Sequence, residues 1–303
     1  MFKVTKMTKM TSALATGALL LSGLALATPS AVQAATVDGN ANVNGGQALP
    51  QEGKTTAGIS FGQTAPSGNT GYLRLQMVPK ILDFGNHESF VSEYPVFTAD
   101  GINAGNATNN RYPNYKSGDT NLTAILNTDD KALSAVKGKV WTTVVDKQTT
   151  RTDAENKLDA SGKTDSKAGS WTLNVKADSP LTLKNDTGGD TGKTIDDATL
   201  TFTNTAYGQT GSVYALTNEV QDDGFTPVGP LTPVADIAKT TTLNLGTNDT
   251  SHQVAYAAPE QGEGANVFAW DKKNIKLVLP KTAVVQNGIY EASLTWTLAY
   301  GLN

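Results

Sequence analysis

Residues 292–301 read ASLTWTLAYG, with Leu294, Trp296, Leu298 and Tyr300 at every second position and Thr295, Thr297 and Ala299 between them. Successive side chains of a strand point to opposite faces, so this spacing predicts a β-strand with one large apolar face and one small one. The stretch SWTLNVKAD at 170–178 repeats the device: Trp171, Leu173, Val175 and Ala177 alternate with Thr172, Asn174 and Lys176. A tryptophan buries roughly 200 Å², so two such strands can anchor the core of a sandwich. The alternative use of the same residues is an exposed indole stacked on the face of a sugar. Trp171 follows polar Gly169 and Ser170, whereas Trp296 is flanked by Leu294 and Leu298, so Trp296 is expected to be the more buried.

Working outward, short alternating runs recur between turn clusters. Leu73, Leu75 and Met77 share a face, followed by Ile81 to Phe84 and a Gly85-Asn86 turn. Val140, Thr142 and Val144 alternate with Trp141, Thr143 and Val145; Leu181 and Leu183 form a short run. Leu200 with Phe202, Val213 with Leu216, Leu243 with Leu245, and Ile275 with Leu277 and Leu279 continue the series. Many short strands at this spacing predict an all-β chain, an antiparallel β-sandwich of Ig-like or Greek-key type with long polar loops. A helical turn or two is expected across Asp130 to Val136, and loops at 147–169 and at 221–233, where Pro227, Pro230 and Pro233 favour a stiff crossover.

The composition agrees. The 303 residues are 38% hydrophobic and 17% charged, with about 40 threonines and 29 glycines, which suit strands and turns. Absence of Cys excludes disulfides, thiolate metal sites and a cysteine nucleophile; with His87 and His252 the only histidines, a three-His site is excluded too. A pI near 5.2 leaves no footprint for nucleic acid.

Residues 1–34 read as a signal peptide: Lys3, Lys6 and Lys9, a mostly apolar Ala13 to Ala27, then Val32-Gln33-Ala34 as a cleavage site. Its removal takes three of 24 basic residues and no acid, leaving 21 against 28 and a charge of −7. Residues 35–69 are Gly-, Asn-, Gln- and Thr-rich and read as a flexible polar linker. Residues 70–303 then form the β domain, with no membrane span in the mature chain.

Several stretches look chemical. Gly188 to Thr194 resembles a phosphate loop, but position 187, where that motif needs Gly, is Thr, so a β-turn is expected. Leu279-Pro280-Lys281-Thr282-Ala283 resembles a sortase signal without the apolar span and basic tail that covalent sorting needs, and reads as a strand end broken by Pro280. The pairs Asp129-Asp130, Asp196-Asp197 and Asp222-Asp223 are sequence neighbours, not carboxylates across a cleft. His87 and His252 read as loop residues. No residue set is assigned a catalytic role, and no metal or cofactor is expected.

The two Trp-x-Leu tripeptides, the second following Gly288-Ile289-Tyr290, resemble those of the WxL-domain cell-surface proteins of Gram-positive bacteria. LRLQMVPKILDFG at 73–85, VWTTVVDK at 140–147, IDDATLTFTN at 195–204 and IKLVLPKTAVVQNGIYEASLTWTL at 275–298 fit in the expected order, and the resemblance covers residues 70–303. Ser170 stands where Gly often precedes the first Trp. The resemblance implies secretion and non-covalent attachment to the cell wall, with peptidoglycan or an associated wall polymer as ligand and other cell-surface proteins as partners. Trp171, Leu173, Trp296 and Leu298 are then the candidate wall-binding residues. An adhesin gripping a host matrix protein or glycan is the alternative, and an exo-enzyme acting on surface polysaccharide a third.

Overall fold

The computed structural model describes residues 51–58, 72–115, 129–148, 170–246 and 248–300, without the side chains of 53–58 and of Tyr300. The expected signal peptide, most of the expected linker and residues 149–169 of the expected loop lie outside the described residues. Nineteen strands among the described residues, β1–β19 in chain order, build three sheets and a small hairpin.

The largest sheet holds the stretches that open this account. Its strands are β1 (Gln51–Gly58), β3 (Ile81–Leu82), β9 (Trp171–Ala177), β10 (Leu181–Lys184), β11 (Asp190–Ile195), β14 (Asp236–Ile237), β16 (His252–Ala257) and β19 (Tyr290–Tyr300). They run in the order β11-β10-β19-β9-β16-β14. β1 covers the other side of β19 and pairs in parallel with β3. The second sheet is ordered β15-β12-β18-β5-β6, from Thr240–Leu245, Ala198–Thr203, Ile275–Val278, Val96–Thr98 and Ile102–Asn103 respectively. The third is ordered β13-β17-β8-β2, from Ala206–Thr210, Gly264–Trp270, Val140–Asp146 and Leu73–Met77. β4 (Asn86–His87) and β7 (Asn110–Tyr112) form the hairpin. All pairings but β1 with β3 are antiparallel, and the arrangement is sandwich-like, as the alternating runs predict.

The main core gathers side chains from all three sheets: Trp171, Leu173, Trp296 and Leu298 from the first, Leu200, Phe202 and Leu243 from the second, Leu75, Val144, Phe268 and Trp270 from the third. The third sheet is buried on both faces. Val140 and Val144 of β8 point into the main core, while Trp141 and Val145 meet a second cluster with Leu133, Val136, Val213 and Leu216. Strands from both sides of the proline-bearing stretch share each of the three sheets.

The structure corrects two local readings. Val213 and Leu216, expected on a strand, lie on the short helix α1 (Val213–Thr217), which their three-residue spacing suits and a period of two does not. Asn218 ends α1 in the left-handed conformation, φ 53°, its N–H donating to the Tyr214 carbonyl at 2.8 Å. Residues 51–58, within the expected linker, are instead a full strand of the main sheet, because main-chain pairing with β19 supplies what their side chains do not. The expected turn near Asp130 is a 3-10 turn at Lys131–Leu133, the Ala132 N–H capped by the Asp130 carboxylate at 2.9 Å.

Candidate functional site

β9 and β19 are neighbours, so the two Trp-x-Leu tripeptides lie side by side. The register sets Leu298 opposite Leu173, Trp296 opposite Val175 and Tyr300 opposite Trp171. Residues opposite each other in an antiparallel pair share a face, and this face is the core: Trp171, Leu173, Trp296 and Leu298 are all 0% exposed. Trp296 is therefore no more buried than Trp171, and neither ring offers a free face for stacking.

The two indoles are held differently. Trp296 sits where the three sheets meet, 6.0 Å from the Trp270 ring and 6.1 Å edge-on to Phe202, and its Nε1 has no hydrogen-bond partner among the described residues. Trp171 packs edge-on to Phe268 at 6.4 Å and donates from Nε1 to Asp146 Oδ2 at 3.2 Å. Its ring leaves no room for a side chain at Gly262, where φ is +77° and a Cβ would lie 2.9 Å from Trp171 Cζ2.

A cleft of about 710 Å³ opens at the start of β19. Leu181, Ile195, Leu277, Leu279 and Phe97 form its floor. One wall runs from Phe84 to Phe90 with Arg111, and the other from Ala283 to Tyr290. The first wall is fixed from beneath: Asp83 Oδ1 accepts the N–H groups of Gly85 at 2.8 Å and Tyr115 at 3.3 Å. Asp83 is wholly buried and its Oδ2 has no partner among the described residues, and burial raises its pKa above the ordinary carboxylate value. His87 Nε2 lies 2.7 Å from the Phe84 carbonyl, and burial lowers the imidazole pKa, which keeps the ring neutral at pH 7. The second wall is tied by Gln286 N–H to Tyr290 Oη at 3.0 Å and by Lys193 Nζ to Gln286 Oε1 at 2.7 Å. Glu88 and Arg111, more than half exposed, pair across 3.7 Å at the mouth.

An apolar floor with aromatic rings, under a rim of Asn86, Ser89, Gln286 and Asn287, is the lining that binds amphipathic ligands of the size of one or two sugar rings. The carbon-bound face of a sugar packs on aromatic and aliphatic groups, while hydroxyl and acetamido groups find amide partners. Little in the sequence announced the cleft. Its walls are irregular segments without a period, and only the Gly85-Asn86 turn and Pro280 marked them.

The other motifs fall elsewhere. Gly188 to Thr194 belongs to the β10–β11 hairpin, where the Asn185 side chain accepts from Thr187 and Gly189 N–H. Leu279 is buried and Pro280 opens a turn closed by Ala283 N–H. Asp129 pairs with Lys137, Asp197 occupies a turn at φ 59°, and Asp222 is buried against Arg74. His252 Nε2 meets Asp249 Oδ1 at 3.0 Å, clasping the loop before β16. Among the described residues no three His, Asp or Glu side chains cluster as metal ligands, and no helix is long and apolar enough to cross a membrane.

A family model described as "WxL domain surface cell wall-binding" matches residues 123–301. No curated protein and no solved structure matches the chain.

Proposed function

Because this chain belongs to the WxL-domain family of surface cell wall-binding proteins, we propose that it is secreted, is held on the wall without a covalent bond, and binds peptidoglycan glycan through the cleft at the start of β19. The family match carries wall association at the cell surface. The lining of the cleft supports a glycan as its ligand, and the burial of all four Trp-x-Leu candidates argues that they hold the core rather than touch the polymer. On this reading residues 1–34 are removed on export and 35–50 precede the β domain. Binding, not turnover, is the role, and the tie to wall polymer distinguishes it from an adhesin for host matrix.

The test is a pull-down of the mature chain with purified, protein-free cell walls, comparing wild type with Asn287→Ala, Tyr290→Ala and the double variant. Tyr290 is half-buried at the rim and Asn287 exposed, so far-UV spectra and melting temperature should change little for Asn287→Ala. Expected is a loss of at least tenfold in wall affinity for the double variant. Undiminished binding by a folded double variant would remove the cleft. A charge of −7 gives no attraction to anionic wall polymers, and exposed charges are screened beyond about 8 Å at physiological salt. Raising salt should therefore weaken binding little; collapse at moderate salt would contradict a stacking and hydrogen-bonding contact.

A further inference from the structure

β1 lies in a gap between two other strands. On one side it runs antiparallel to β19 from Gln51 opposite Leu298 to Gly58 opposite Glu291, and on the other it pairs in parallel with β3 at Thr56 with Ile81 and Ala57 with Leu82. Main-chain groups line both sides of this gap, and buried ones demand partners. Only an extended polypeptide can fill it.

The present occupant is poorly suited to hold it. The positions of β1 that share the core face with Leu294, Trp296 and Leu298 are Thr55, Gly53 and Gln51. β1 itself brings only a glycine to the position opposite Trp296, and the residue it sets opposite Leu298 is a buried glutamine whose Oε1 accepts from Leu75 N–H at 3.0 Å. β9, on the opposite side of β19, brings Val175 and Leu173 to the same two positions. Gly in a strand interior weakens it, and QEGKTTAG contains no apolar residue larger than alanine. Main-chain pairing runs the length of β1, but its sequence offers the core face none of the large apolar groups that β9 brings.

We propose that β1 is a removable strand, and that the gap between β19 and β3 accepts in its place an extended segment of a partner protein. That segment runs antiparallel to β19 and carries small or β-branched apolar residues at its alternate, core-facing positions. Strand addition of this kind takes affinity from main-chain pairing and specificity from alternate side chains. The site is separate from the wall contact: β1 pairs with residues 291–298, whereas the cleft reaches only Tyr290 of β19.

Labelled synthetic peptides test this on the full mature chain. The first carries residues 51–58 as they stand, the second carries Gly53→Val and Thr55→Val, and the third is scrambled. A chain variant Thr55→Pro, which breaks the ladder on β1, serves as an opened acceptor. Expected is binding of the Val-bearing peptide at least tenfold tighter than the scrambled one, stronger on Thr55→Pro than on wild type, with new protection of residues 291–298 from hydrogen exchange. Equal binding of the scrambled peptide, or none by either chain, overturns the proposal. Should Thr55→Pro fail to fold, exchange in wild type decides: amides of residues 51–58 should exchange at least a hundredfold faster than those of 171–177, and equal protection means that β1 is a fixed strand. A stable dimer in which copies trade their own β1 would overturn the assignment to a different partner.

Discussion

Trp171 and Trp296 are equally buried yet should respond differently to the same change. Trp296→Phe deletes an indole N–H that has no partner among the described residues, whereas Trp171→Phe takes a donor from the buried Asp146 carboxylate. A buried acceptor stripped of a partner costs roughly 1–3 kcal/mol, so Trp171→Phe should lower the unfolding free energy by about that much more than Trp296→Phe. Urea denaturation at constant m-value checks the difference, and truncation of either ring to Ala should cost about 3–5 kcal/mol. Asp83 makes a prediction about pH. Burial raises its folded pKa, so its contribution is fully present below its unfolded value of about 3.9 and is lost as pH rises through the raised one. Asp83→Asn keeps the carbonyl that accepts from Gly85 and Tyr115 and removes the buried charge. The variant should therefore gain on wild type as pH rises from 4 towards 7, read from denaturation midpoints across that range.

At the scale of elements, Gly288 controls the shape of the cleft. Its φ is +147°, a conformation that L side chains rarely adopt, and a Cβ there would lie 2.5 Å from Leu183 Cδ1, so Gly288→Ala must strain the 283–290 wall and displace the Leu183 side chain behind it. Wall binding should fall several-fold while the melting temperature changes by a few degrees at most; unchanged binding would mean that Gly288 does not set the shape of the contact. How much of this was legible depended on burial. β9, β12, β15, β18 and β19 each bury one face more than the other, and their alternation could be read from residues such as Leu200, Phe202, Leu243 and Leu245. β17 is buried at all seven positions and carries no alternation, so GANVFAW gave no sign of itself. β11 fails in the opposite way: all but Ile195 are exposed, and the strand exists through its pairing with β10. β1 is the same case, a Gly- and Thr-bearing segment made a strand by its neighbour. The Trp-x-Leu pair was legible as a core anchor. The cleft was not, because loops from 84–90 and 283–290 meet only after the sheets have folded.

Across the whole molecule, a buried charge network joins β2, β8 and the turn that follows α1. Arg74 grips the Asp222 carboxylate with both terminal nitrogens, Lys147 Nζ lies 2.8 Å from Asp222 Oδ1, and Thr217 Oγ1 donates to Oδ2 at 2.5 Å. Burial alone would raise the Asp222 pKa, but Arg74, Lys147 and Thr217 outweigh it and hold it below the ordinary carboxylate value. Its contribution is thus present above pH ~4 and disappears as pH falls through the lowered folded value. Arg74→Met should cost about 3–5 kcal/mol, the penalty for stranding a buried charge, measured by urea denaturation at pH 7; a change under 1 kcal/mol would show that Lys147 suffices alone. A last consequence follows from where β19 stands. It lies between β1 on one side and β9 with β10 on the other, joining residue 51 to residue 298. A polypeptide emerging amino end first therefore meets the keystone of its main sheet only after the other described strands of that sheet. Until residues 290–300 arrive, Trp270 and Phe202 wait for their third ring, and β1, β9 and β10 lack the strand that joins them. Such late, long-range closure makes folding slow, and the sheet stays a slack thread until β19 draws it shut.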